Sequence, residues 1–337
     1  MAEATTHQPE RTDLAVAVPA ATGLRHKHVL DLDDFGRDEI DLVLRTADGM
    51  REVLQRDIKK VPTLRGKTVI TLFYEASTRT RMSFELAGKL LSADVINLTA
   101  SSSSTTKGES LVDTVKTIDA MAPDCLVMRH ASSGACYLVA QQVRASVVNG
   151  GDGWHAHPTQ ALLDLYTIRE RLGGLEGLKV AIIGDILHSR VARSDIWGLR
   201  AAGAHVTLCG PATLLPREWA PDRDMGASGL PPVTVTWDVE EALNGADVVM
   251  TLRLQKERQE GGLLPSMGEY ITGYQITPAR LAMARPGALL MHPGPVNEGI
   301  ELSSELVRGA QSVIDAQVAN GLAVRMALLY LLIGGPQ

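Results

Sequence analysis

The sequence predicts an α/β fold of two domains, each a mainly parallel sheet flanked by helices. Short apolar runs alternate with helix-period segments, once up to about residue 150 and again from residue 178. The length of 337 residues, 45% of them hydrophobic, suits two ordinary cores. Polar and charged candidates stand just after the predicted strand ends, where open α/β sheets collect ligands.

The elements follow in order. Residues 34–55 read as a helix, with Ile40, Val43, Leu44 and Met50 among its apolar positions, and residues 68–73 as a buried strand. A helix is expected over 79–91, where Met82, Leu86 and Leu90 recur every four residues and Ala87 and Leu91 widen the stripe. Strands at 94–98, 124–128 and 146–149 and helices at 111–121 and 134–143 complete the first series. Gly150-Gly151-Asp152-Gly153 reads as a bend before a linking helix, 159–172, which Gly173-Gly174 ends. The second series has strands at 179–183, 205–208, 247–251 and 288–291. Residues 318–332 form a strongly apolar helix, and residues 211–232, rich in Pro, Gly and Asp, a loop.

Composition narrows the function. Aromatic residues are only 4%, so the cores must be aliphatic. A net charge of −6 argues against a nucleic-acid surface, and any anion site must be a local cluster of Arg and Lys. Cys125, Cys136 and Cys209 have no C-x-x-C spacing and read as reduced thiols, without a disulfide framework or zinc site. No apolar run approaches the roughly 18 residues that span a membrane. Residues 14–21 make a poor secretory signal, because acidic residues and no basic cluster precede them. Residues 1–24 read as a flexible extension, and a cytoplasmic enzyme with no cofactor or metal is expected.

The most informative segment is Ser77-Thr78-Arg79-Thr80-Arg81, at a strand-to-helix turn. A helix N-terminus offers free N–H groups and partial positive charge to a phosphate; hydroxyls and guanidiniums complete such a site. There is no G-x-x-x-x-G-K-[ST], so the anion must be held with side chains as well as backbone. Three further motifs stand at turns or strand ends: His157-Pro158-Thr159-Gln160, Arg253-Leu254-Gln255-Lys256-Glu257-Arg258 and His292-Pro293-Gly294-Pro295. Gly184-Asp185 follows a strand, but without G-x-G-x-x-G a dinucleotide enzyme is rejected.

With these motifs the chain resembles the aspartate carbamoyltransferase catalytic chains, from about Leu30 to Leu332. S-T-R-T-R and H-P-x-Q mark the wider transcarbamylase family; Lys107-Gly108-Glu109 and R-x-Q-x-E-R mark its aspartate branch. The resemblance implies carbamoyl transfer from carbamoyl phosphate to L-aspartate, an early step of pyrimidine synthesis. It also implies a carbamoyl-phosphate domain of residues 25–160 plus 313–337, to which the C-terminal helix returns, and an aspartate domain of 161–312. Ser77, Thr78, Arg79 and Thr80 match the phosphate cradle, Arg79 stabilising the leaving phosphate and Thr80 also reaching the carbonyl oxygen. Arg129 matches a phosphate and carbonyl ligand, and His157 the histidine that hydrogen-bonds the carbonyl. Gln160 and the backbone carbonyls of Pro293 and Gly294 would accept from the carbamoyl NH2. Arg190, Arg253 and Gln255 match the aspartate-carboxylate ligands, where forked Arg suits a dicarboxylate. Ser103 and Lys107 match residues donated by a neighbouring subunit, which implies a homotrimer with shared active sites. Some relatives associate with regulatory chains or a dihydroorotase-like partner.

A cis bond at Gly294–Pro295 fits the resemblance. Arg193 reads as a solvated helix residue, and His130 as structural. Two positions depart from the pattern: Glu298, where many relatives carry Arg, and His155, where relatives vary. The nearest rival is ornithine carbamoyltransferase, which reads a cationic side chain; Ser266-Met267-Gly268 echoes its S-M-G but lies well past the strand end. The non-enzymatic rival is a silent family member acting as a scaffold.

Overall fold

The computed structural model describes residues 24–99, 109–219, 229–255, 263–264 and 266–335. Four strands, β1 (Thr68–Phe73), β2 (Asp94–Thr99), β3 (Cys125–His130) and β4 (Ser146–Asp152), form one sheet in the order β2-β1-β3-β4. Five more, β5 (Lys179–Ile183), β6 (His205–Cys209), β7 (Thr234–Thr236), β8 (Val248–Thr251) and β9 (Leu289–Met291), form a second in the order β7-β6-β5-β8-β9. Every pairing between these strands is parallel. The strand order reverses between β1 and β3 in one sheet and between β5 and β8 in the other. Such switch points open a crevice at the carboxyl ends of the strands. The S-T-R-T-R turn and Arg129 follow β1 and end β3, and Arg190 and Arg253 follow β5 and β8. Both crevices therefore carry predicted ligands.

Helices α1 (Arg37–Leu54), α2 (Thr78–Leu90), α3 (Leu111–Asp119), α4 (Ala135–Ala140), α5 (Pro158–Leu172) and α6 (Arg190–Ala201) occur in that order, followed by α7 (Val239–Leu243), α8 (Met267–Tyr274), α9 (Pro278–Leu281), α10 (Ser304–Val307) and α11 (Ile314–Ile333). A buried apolar cluster runs from Val69 and Val127 through Leu162 and Ile196 to Val180 and Ile182, so the linking helix α5 joins the two sheets in a continuous core. The terminal helix α11 returns to the first sheet's layer and packs on α1, α2 and α5. It has 20 residues and a mean hydropathy of 1.5, long and apolar enough to cross a membrane by length and composition. That corrects the expectation that no segment approaches this limit. The helix is a core element: its polar Gln317, Asn320 and Arg325 are buried, and each has a hydrogen-bond partner.

Three other expectations change. The buried side of α2 is Thr80, Phe84, Ala87 and Gly88, whereas Met82 is 60% and Leu86 46% exposed. Positions 80, 84, 87 and 88 share a helix face too, and the sheet takes that one because Phe84 fills the core. Strand β7 was not expected, since three residues between a Pro-rich loop and Trp237 carry little periodicity. Arg193 is only partly exposed, its guanidinium lying over the Trp219 ring at 5.7 Å.

Candidate active site

Ser77 and His157 stand at the N-caps of α2 and α5, and neither side chain caps its helix. The free N–H groups of the first turn of α2 are left for a ligand, whereas α5 opens on Pro158, which has none. A cavity of about 750 Å³ opens there, between the carboxyl ends of the two sheets. The first half of the chain lines it with Ser77, Thr78, Arg79, Thr80, Arg129, His157 and Gln160. The second half faces them with Arg190, Arg253, Gln255, Pro293 and Gly294. All twelve were predicted. Ser103 and Lys107 lie outside the described residues, as do Lys256, Glu257 and Arg258. The Gly294–Pro295 bond is cis, as expected.

Among the described lining residues five are arginines and one, Glu75, is a carboxylate. A chain of net charge −6 thus concentrates positive charge at one point. Glu75 was missed by the sequence reading, although it stands two residues before Ser77. It accepts from Arg129 Nη2 at 2.5 Å and from Arg190 Nη2 and Nη1 at 2.6 and 3.0 Å. Burial opposes its charge, but the bonds and charges of Arg190 and Arg129 outweigh burial and push its pKa down to about 2. One carboxylate thereby holds a predicted phosphate ligand beside a predicted aspartate ligand. A bend within the carboxyl end of β4 makes room for them. Gly151 has φ +116°, and a Cβ there would sit 3.0 Å from Arg190 Cζ and 3.1 Å from Arg129 Nη1. Buried Asn149 and Asp152 fix that bend by accepting from Gly151 and Ala156 N–H.

His157 is buried and its Nδ1 has no hydrogen-bond partner among the described residues. Burial first, then the charges of Arg129, Arg190, Arg325 and Arg79, lowers its pKa well below the ordinary value. The imidazole is neutral at pH 7, suited to donate an N–H to a carbonyl rather than to carry charge. His292 is likewise held neutral by burial and the charges of Arg79 and Arg253, its pKa lowered to about 3. On the opposite wall, Asp185 accepts from Gln255 N–H at 3.4 Å and pairs with His188 at 2.7 Å. The His188 ring meets the Trp154 ring at right angles, centroids 4.7 Å apart, and Trp154 lines the cavity. Buried Glu301 joins this wall together, accepting from Leu254 N–H and from the Asn297 side chain.

The other singled-out residues fall into place. His130 accepts from Ser132 N–H and is structural. His155 pairs with Asp152, and Glu298 is exposed; neither lines the cavity. Ser266 caps α8 by accepting from Glu269 N–H, so the S-M-G triplet is a helix start.

The chain matches two family descriptions in succession. Residues 27–170 match "Aspartate/ornithine carbamoyltransferase, carbamoyl-P binding domain" and residues 176–332 the "Asp/Orn binding domain" of the same family. It is 61% identical over 322 residues to the aspartate carbamoyltransferase catalytic subunit of Roseiflexus castenholzii, covering 95% of this chain and 100% of that one. Aspartate transcarbamoylase from Trypanosoma cruzi, solved with carbamoyl phosphate and aspartate, superposes with a TM-score of 0.81 at 30% identity over 91% of this chain and 95% of that one. The same enzyme with N-(phosphonacetyl)-L-aspartic acid gives 0.82 at 31% identity, with the same coverage. Ornithine carbamoyltransferase from Pyrococcus furiosus gives 0.83 at 28% identity, over 94% of this chain and 100% of that one.

Proposed function

The chain belongs to the aspartate/ornithine carbamoyltransferase family, and from that premise we propose that its cleft transfers the carbamoyl group of carbamoyl phosphate to the amine of L-aspartate. The products are N-carbamoyl-L-aspartate and phosphate. One observation carries the reading: an uncapped helix start with three hydroxyls and Arg79 faces Arg190, Arg253 and Gln255 across a single cavity. The 61% identical relative is an aspartate enzyme by name, which supports the same acceptor.

The chemistry needs no enzyme nucleophile. The uncharged aspartate amine attacks the carbamoyl carbon, a C–N bond forms, and the C–O bond to phosphate breaks through a tetrahedral intermediate; the departing phosphate takes the amine's proton. Ser77, Thr78, Arg79 and Thr80 hold the phosphate, and Arg79 neutralises charge as it departs. Arg129, Thr80 and the neutral His157 polarise the carbonyl. Gln160 and the carbonyls of Pro293 and Gly294 accept from the carbamoyl NH2. Arg190, Arg253 and Gln255 take the aspartate carboxylates and set the amine in line.

Fold alone does not separate aspartate from ornithine, since the ornithine enzyme superposes as well. The charge does. Glu75 is already engaged by two arginines, and Arg190 and Arg253 repel an ammonium. The scaffold reading finds no support, because every matched ligand among the described residues lines the cavity. Carbamoyl transfer from labelled carbamoyl phosphate, with L-aspartate and L-ornithine as parallel acceptors, tests the assignment. Product from aspartate alone is expected, and product from ornithine alone overturns it.

The pathway is pyrimidine synthesis and the compartment the cytoplasm. The carbamoyl-phosphate domain comprises residues 25–160 plus 313–337 and the aspartate domain 161–312, a division supported by the two switch points and the return of α11. The working unit is a homotrimer in which Ser103 and Lys107 reach a neighbour's site. Exposed Met82 and Leu86 on α2 supply an apolar face for a second copy. Residues 1–24 are the candidate contact for a regulatory or dihydroorotase-like chain. Mixing inactive Lys107→Ala and Arg79→Ala trimers after dissociation should restore activity; no rescue in confirmed hybrids contradicts sharing.

A further inference from the structure

Behind the cavity lies a carboxyl that the mechanism above does not use. Asp164, on α5, is fully buried. It accepts from Gln160 Nε2 at 3.2 and 3.3 Å and from Gln317 Nε2 at 2.6 Å. Gln317, on α11, uses its Oε1 to accept from His292 N–H at 3.0 Å. His292 Nδ1 in turn accepts from Gly294 N–H at 2.7 Å. Gln160, Gln317, His292, Pro293 and Gly294 all line the cavity.

The direction of each amide follows from the chemistry of its partner. An ionised carboxylate only accepts, so each glutamine must turn its NH2 toward Asp164. That leaves Gln160 Oε1 for the cleft and Gln317 Oε1 for the His292 backbone. We propose that Asp164 is a positioning residue that makes the cleft select an NH2-bearing carbonyl donor, by orienting Gln160 directly and the Pro293–Gly294 carbonyls through Gln317 and His292. The inference rests on the carbamoyl reading above and names the group that enforces it. A donor with a methyl in place of the NH2 would leave those acceptors desolvated and unpaired, which a site of this kind rejects.

Asp164 is the ionised acceptor above about pH 7. Asp195, on α6, is fully buried beside it, and neither of its carboxyl oxygens has a hydrogen-bond partner among the described residues. Burial pushes both groups up, Asp164 to about 7 and Asp195 well above its ordinary range, Asp195 further because of the Asp164 charge. Two amide donors and the Arg325 charge favour ionisation at Asp164, so Asp195 is the one that stays neutral.

The test measures affinities of carbamoyl phosphate, acetyl phosphate and inorganic phosphate for the full chain at pH 8, in the wild type and in Asp164→Asn. The asparagine keeps the shape and removes the obligate acceptor. The expected result is a fall of about tenfold in the preference for carbamoyl over acetyl phosphate, with phosphate affinity within about twofold. A wild type that does not prefer carbamoyl phosphate overturns the underlying donor reading. A wild type that does, beside a variant with the same preference, overturns the role of Asp164. Equal losses for all three ligands also overturn it, because they mark a merely structural part. If Asp164→Asn does not fold, Gln317→Met interrupts one branch; its preference should fall about threefold, and an unchanged preference contradicts the proposal.

Discussion

Replacing Glu75 by Gln probes the arginine pair where the two walls of the cleft meet. The carboxylate takes three hydrogen bonds of 2.5–3.0 Å from Arg129 and Arg190, whose side chains are only 11% and 6% exposed. A bond to a charged group contributes about 1.5–3 kcal/mol, and leaving a buried charge uncompensated costs about 3–5 kcal/mol. The amide keeps one acceptor oxygen, so a net loss of about 2 kcal/mol is the reasonable expectation. By calorimetry the variant should melt several degrees lower. Phosphate together with succinate should recover most of that loss, because the added anions neutralise the same guanidiniums. In steady-state assays the KM for aspartate should rise about tenfold while carbamoyl phosphate affinity changes less, since Arg190 holds two of the three bonds. The pH dependence has a definite sign. A carboxylate whose pKa falls to about 2 on folding contributes in full above the ordinary value near 4.5. That contribution is lost as pH falls toward 2, so wild type and variant should differ in stability at pH 7 and converge in acid. Unchanged melting and unchanged KM for aspartate would refute the idea that Glu75 sets the arginines.

Arg79→Ala should lower kcat by about 10²-fold or more, as for loss of a group stabilising transition-state charge, whereas Arg253→Ala should act mainly on the KM for aspartate; equal small effects from both contradict the assignment. Histidine-selective NMR should find the His157 ring neutral well below pH 6.5, and a titration near 6.5 would contradict its burial among arginines. Gly151→Ala places a Cβ against both guanidiniums at φ +116° and should cost about 1–3 kcal/mol together with aspartate affinity; retained stability and affinity would show that the bend can relax.

Much of this was legible in the sequence, for identifiable reasons. The strands are short aliphatic runs, and eight of the nine appear as alternation alone; β7 is too short to show a period. The polar candidates were found because they follow strand ends, a position that carries meaning in parallel sheets. What escaped was set by tertiary contact. On α2 two faces had apolar residues, and only packing of Phe84 decides between them. Glu75 adjoins the motif, but a lone acidic residue gives no local sign that it will meet Arg190, 115 positions away. Gln317, Arg325 and Asp164 sit inside apolar helices, where a polar residue at a core position is itself a signal. Such a residue must have a partner, but the sequence does not name it.

The central claim is that one cleft holds both substrates, phosphate at the start of α2 and dicarboxylate across from it. The most direct measurement is a crystal structure of the protein with N-(phosphonacetyl)-L-aspartate, which carries both charges on one backbone. The account predicts the phosphonate on Ser77, Thr78, Arg79 and Thr80, the carboxylates on Arg190, Arg253 and Gln255, and the Gln160 oxygen turned to the ligand. A phosphonate bound away from the α2 N-terminus, or carboxylates that touch neither Arg190 nor Arg253, would contradict it.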